Sequence, residues 1–212
     1  MSGKDKLTIG DEINIAVQSG LQLIPYVGGA ISTAYFGRKQ EKAFKRVERL
    51  YSELASELST IKTQIVPIES QDEDGLISLI EQVNDKVENE HQEIKFQSYK
   101  KFMKNILTDP VNSSNYDKRK TFLDIIEHIS IIELEILVFL YKNFGLTTQV
   151  KNISKPGVNQ YAIVGAINKL KSYGFLRTAQ GSFSIGGNND NLLEEIVSVN
   201  EYAKEFIEFS IA

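Results

Sequence analysis

Residues 47–65, VERLYSELASELSTIKTQI, decide the fold class. Val47, Leu50, Leu54, Leu58, Ile61 and Ile65 recur at intervals of three and four, which puts them on one face of an α-helix. Pro67 cannot continue a helix and is expected to end this one. Beyond it, Ser70-Gln71-Asp72-Glu73 has the form of a capping box, in which the Ser hydroxyl takes the Glu amide and the Glu side chain reaches back. Leu76, Leu79, Ile80, Val83, Val87, Ile94, Phe102, Met103 and Ile106 then line a second long helix, to about Leu107. The connection between the two is short, so an antiparallel helical hairpin is expected. Asp109-Pro110 and Asn112-Ser113-Ser114-Asn115 read as a loop, and a third helix follows from Asp117 to His128.

Upstream lies the least ordinary stretch of the chain. Ile13 to Gly37, INIAVQSGLQLIPYVGGAISTAYFG, holds no charge in 25 residues. Its length allows a membrane span. Its content does not favour one, because Asn14, Gln18, Ser19 and Gln22 are polar while Pro25 and Gly28-Gly29 break a helix. Two apolar helical pieces around an IPYVGG turn are expected. Lys4 and Lys6 resemble the basic start of a secretory signal, but Asp5, Asp11 and Glu12 interrupt it and no cleavage-site pattern follows. Arg38, Lys39, Lys42, Lys45, Arg46 and Arg49 come directly after, against only Glu41 and Glu48.

The C-terminal third changes character. Ser130-Ile131-Ile132-Glu133 is a second capping box and opens the helix IIELEILVFLYKN, which Gly145 closes. Pro156-Gly157 marks a turn. Asn159 caps a helix through Tyr173, with Ile163, Val164, Ile167 and Leu170 facing inward, and Gly174 stands where a positive φ is wanted. Phe175–Thr178 and Phe183–Ile185 read as a β-hairpin about Gln180-Gly181-Ser182. Residues 196–199 are a candidate strand, and Asn200 caps a last helix, Glu201 to Phe209.

The runs Ile129-Ser130, Leu134-Glu135-Ile136-Leu137, Ile167-Asn168-Lys169-Leu170 and Tyr173-Gly174-Phe175-Leu176 resemble the winged-helix pattern. Val197 to Phe209 resembles the closing strand and helix of such a domain. The whole chain is similar to a loosely defined group of bacterial proteins of unassigned function. These carry an IPxxGG apolar segment, a helical hairpin and this type of C-terminal domain. The resemblance implies a prophage or abortive-infection setting. The expected fold is therefore mainly α: an N-terminal helical bundle with a long antiparallel hairpin, plus a small winged-helix-like domain. The expected segments are 1–37, 38–128 and 129–212.

Composition excludes several chemistries. The 212 residues have a formal net charge of −4, no Cys and two His, at 91 and 128. That removes disulfide frameworks, thiolate metal sites and cysteine nucleophiles, and leaves too few imidazoles for a catalytic zinc. No nucleotide-binding loop or nucleophile elbow occurs; Gly28-Gly29 lacks a following Lys-Ser/Thr, and Gly181–Gly186 fits a turn. Glu90–Glu93, and Asp124 with His128, read as helix-surface charges rather than metal ligands. No catalytic residue, cofactor or metal is expected, so the expected function is non-catalytic binding.

Three contacts are candidates. Leu21, Leu23, Ile24, Pro25, Tyr26, Val27 and Ile31 are expected to meet a membrane or a protein partner, or to pack inside the bundle. Arg38, Lys39, Lys42, Lys45, Arg46 and Arg49 would meet anionic lipid, at about 1 kcal/mol per residue, or else pair with the acidic run Glu69 to Glu93. As the alternative function, a winged-helix regulator would contact DNA through Asn159, Gln160, Tyr161, Asn168, Lys169, Lys171 and Arg177. Residues 130–212 hold seven basic and eight acidic residues, a weak charge balance for that role. Self-association through exposed apolar stripes is a further expectation. The expected location is the cytoplasm, at most peripheral to the inner face of the membrane.

Overall fold

The computed structural model describes residues 42–61, 64–66, 70–180 and 191–212. The uncharged segment 13–37, Arg38, Lys39, the side chain of Lys42 and the expected strand 183–185 lie outside the described residues. Among those described, the chain is mainly helical, with seven α-helices and one three-stranded antiparallel sheet. It divides into two compact units between Glu127 and His128.

Four helices build the N-terminal unit: α1 (Lys42–Thr60), α2 (Glu73–Asn89), α3 (Glu93–Thr108) and α4 (Tyr116–His128). On α1, Val47, Leu50, Tyr51, Leu54 and Leu58 are buried, as the 3–4 spacing requires. The helix stops at Thr60, ahead of Pro67. The Ile61 amide donates to Leu58 O at 3.1 Å and the Thr60 hydroxyl to Glu57 O at 2.7 Å, which tightens and closes the last turn. At α2 the cap is Asp72 and not Ser70. The Asp72 carboxylate stands two residues nearer the helix and accepts the Gly75 amide at 3.0 Å.

The single long helix expected from Leu76 to Leu107 is two helices. Glu90 is extended (φ −81°, ψ 126°), and its Oε1 accepts the amides of His91 at 2.8 Å and Gln92 at 2.7 Å. A side chain thus takes two donors that a continuous helix would direct to its own carbonyls. The break resets the helical phase. Ile94, expected in the core, is 41% exposed, while Lys95 and Phe96 turn inward.

Polar contacts order these helices. Arg49 reaches Glu93, Gln97 reaches Glu53, Lys100 reaches Glu53 and Glu57, and Lys104 reaches Glu57. Numbers rise together, so α1 and α3 run parallel. Ser78 meets Tyr116 at 3.1 Å, and Lys86 meets Asp124 and Glu127, so α2 and α4 also run parallel. The turn at residues 90–92 reverses α2 into α3.

The C-terminal unit contains α5 (Ile131–Lys142), β1 (Thr148–Gln149), a 3₁₀ turn (Val150–Asn152), α6 (Gln160–Ser172), β2 (Leu176–Gln180), β3 (Glu195–Val199) and α7 (Glu201–Ser210). Ser130 forms a reciprocal capping box: its Oγ accepts the Glu133 amide at 3.3 Å, and its own amide donates to Glu133 Oε2 at 3.0 Å. Gly174 takes the positive φ (76°) that ends α6. Among the described residues the strand beside β2 is β3. The sheet order is β1-β3-β2, with Leu176 opposite Val199 and Thr178 opposite Val197. A buried strand needs apolar alternation on one face, and Val197 and Val199 supply it. β1 has only two residues and was not expected from the sequence.

Candidate functional site

The surface most able to meet a partner is built on α6. Its inner face, Ile163, Val164, Ala166, Ile167 and Leu170, is buried. The 3.6-residue period therefore sends Tyr161, Ala162, Gly165, Asn168, Lys169 and Ser172 outward, and all six are exposed. Tyr161 is 60% exposed. A Cβ built on Gly165 would meet nothing within 4 Å, so this face is flat and open at its middle.

Beside α6 runs an apolar groove of about 270 Å³, lined by Glu135, Ile136, Phe139, Ile153, Ser154, Lys155 and Ile163. Phe139, on the outer edge of α5, is 45% exposed. Lys155 pairs with Glu135 at the groove's rim.

Of the seven candidate DNA contacts, several are occupied by the fold itself. The Asn159 side chain accepts the Tyr161 amide at 2.8 Å and caps α6. Gln160 Nε2 donates to the carbonyls of Val150 at 3.0 Å and Ile153 at 3.2 Å, pinning the 3₁₀ turn to the start of α6. Lys171 pairs with Glu195 at 2.7 Å, joining α6 to β3. Lys169 lies 5.1 Å from the Tyr173 ring centroid, a cation–π contact that leaves its ammonium exposed. Asn168 and Arg177 are exposed. The structure thus gathers Tyr161, Asn168 and Lys169 on one face, with Arg177 on β2, and commits Asn159, Gln160 and Lys171 to architecture. Phe139 was missed by the sequence reading. Its signal was an aromatic on the polar side of the α5 helical wheel, between Glu135 and Lys142.

The described part of the basic stretch is likewise engaged. Arg49 forks onto Glu93 at 2.6 and 2.8 Å, bonds Glu53 at 2.7 Å, and stacks 4.2 Å from the Phe96 centroid. The Arg49 guanidinium holds the Glu93 carboxyl down at about 2, well below the usual range. Burial pulls Glu53 upward, but bonds from Lys100 and Arg49 outweigh it and leave that carboxyl lowered. Arg46 donates to the Glu88 carbonyl. Lys45 is exposed. The pairing of basic stretch with acidic run is therefore present at Arg49 and Glu93.

Asp124 and His128, adjacent on α4, do not form a ligand set; Asp124 faces Lys86 at 3.4 Å. Among the described residues no group of three or more His, Asp or Glu could hold a metal, and no helix is long and apolar enough to cross a membrane. Compared with known protein families, curated proteins and solved structures, the chain matches none.

Proposed function

We propose that this protein works by binding, and that its C-terminal unit is a winged-helix-like module that receives a protein partner on the outer face of α6. The carrying observation is the chemistry of that face: an exposed Tyr161, small or uncharged neighbours at 162, 165, 168 and 172, and Lys169 as its one charge. The order α5, β1, 3₁₀ turn, α6, β2, β3 and the β1-β3-β2 sheet support the winged-helix reading. Aromatic and uncharged residues at the centre of a patch favour protein over nucleic acid. A tight DNA reader engages some 6–10 phosphates, at about −0.9 in log–log salt slope per phosphate. Here Lys169 and Arg177 are exposed cations near α6, while the exposed Lys151 and Lys155 are already paired with Glu194 and Glu135, so DNA binding through this face would show a slope of only about −2.

A photo-reactive residue at position 161 tests the reading in the producing cell. The expected adduct is a discrete protein that disappears when Gly165→Arg obstructs the face. A fluorescence-anisotropy salt titration with duplex DNA supplies the opposing arm. Saturable DNA binding abolished by Lys169→Glu with Arg177→Glu, and no protein adduct, would replace this proposal with the DNA-regulator reading.

A further inference from the structure

We infer that the partner received by the α6 face is a second copy of this chain, packed antiparallel across a twofold axis at Gly165. This rests on the reading of α6 as a binding face and names its occupant. Gly165 carries the inference. A glycine in a helix interior weakens the helix relative to alanine, so its presence there needs a reason. The fold supplies none. Gly165 sits in the middle of α6 and does not take a positive φ. A Cβ built on it would meet nothing within 4 Å. What the missing side chain still offers is close approach by a backbone from outside. The exposed Ala162, one turn earlier, keeps that approach low.

The residues flanking Gly165 complement one another. Tyr161 and Lys169 stand four places before and after it, on one ridge of the helix. In an antiparallel pair centred on Gly165, Tyr161 of each copy therefore lies opposite Lys169 of the other. Tyr161 is 60% exposed, and the exposed Lys169 ammonium already lies 5.1 Å from the Tyr173 ring centroid. Pairing sets each ammonium between two tyrosine rings, one from each copy. Of the six outward residues only Lys169 is charged, and the two lysines stay about 12 Å apart along the axis. Ala162 and Asn168, three places before and after Gly165, match in the same way. A parallel pair would instead set lysine against lysine. One helix face on another is a small interface, so the dimer is weak and concentration-dependent.

The chain has no cysteine, so single thiols map the pairing in full-length protein. Ala162→Cys, Gly165→Cys and Ser172→Cys each place one at an exposed position of this face. Across the twofold axis the thiols at 165 meet. Those at 162 are about 9 Å apart along the axis and those at 172 about 21 Å, both beyond disulfide reach. Oxidation is expected to join copies through position 165 about tenfold or more faster than through 162 or 172. Sedimentation equilibrium is expected to show a dimer whose Kd rises about tenfold or more with Gly165→Leu. The thermal midpoint should not fall in that variant, because leucine is the better helix former. A photo-reactive residue at position 161 should give an adduct of twice the chain's mass. Equal joining at the three positions, a chain that stays monomeric, or a Kd that Gly165→Leu leaves unchanged overturns the self-pairing. An adduct of position 161 with a different protein overturns it too, but leaves the α6 reading standing. No adduct at all removes both.

Discussion

Gly75 occupies the third position of α2 because a side chain has no room there. A Cβ would stand 2.6 Å from Asp72 Oδ2 and 3.1 Å from the Tyr116 ring. Asp72 cannot swing aside without releasing the Gly75 amide it caps. Gly75→Ala is therefore expected to lower stability by about 1 kcal/mol, the worth of an N-cap, despite alanine's better helix propensity. Urea denaturation measures it, and a higher midpoint would show that the cap survives. Ser130→Ala removes one arm of a reciprocal box and strands the other, with an expected loss of about 1 kcal/mol in the same assay. Such caps were legible in the sequence because donor and acceptor lie within three residues of each other. Ser130, Asn159, Asn200 and Gly174 all act where the local pattern put them.

At the scale of elements, the seam between α1 and α3 carries a pH signature. Arg49 holds Glu93 at about 2 in the folded state, below its unfolded value. A lowered carboxyl stabilises the fold above the ordinary carboxylate range and loses that contribution as pH falls toward about 2. Glu93 is 61% exposed, so solvent screening keeps the effect below about 1 kcal/mol. Glu93→Gln should flatten the stability profile between about pH 4.5 and 2, with a small loss at neutral pH; thermal melts across that range check it. A Gln variant with an unchanged acid limb would mean that the seam does not titrate there. Elements were less legible than caps. Val87 and Ile94 are seven residues apart, a spacing that looks like uninterrupted helix, so periodicity ran straight through the turn at residues 90–92. What breaks it is one carboxylate folding back, which a face-counting argument does not see. The pairing of β1 with β3 escaped notice because two residues carry no period and their partner is almost fifty positions away.

For the whole molecule, each unit has an apolar interior of its own. In the C-terminal one, Leu134, Leu137, Leu140, Ile163, Ile167, Leu170, Phe175, Val197, Phe206 and Ile207 are all buried. Residues 128–212 expressed alone are thus expected to keep their helical circular dichroism and to melt cooperatively; a featureless thermal profile would show that the core is not self-sufficient. The candidate site was legible only in outline. The position of α6 and its outward residues follow from local spacing, but Gln160 and Lys171 looked like ligand contacts because their partners, the carbonyls near Val150 and the Glu195 carboxylate, are remote in sequence. Strand order has a further consequence during synthesis. β3 lies in the middle of the sheet yet is the last of its strands to leave the ribosome, so β1 and β2 emerge as unmated edges with no neighbour to accept them. Until residue 199 clears the exit tunnel, an emerged β1 or β2 has no native strand to pair with, so closure of the sheet waits on its last-made strand.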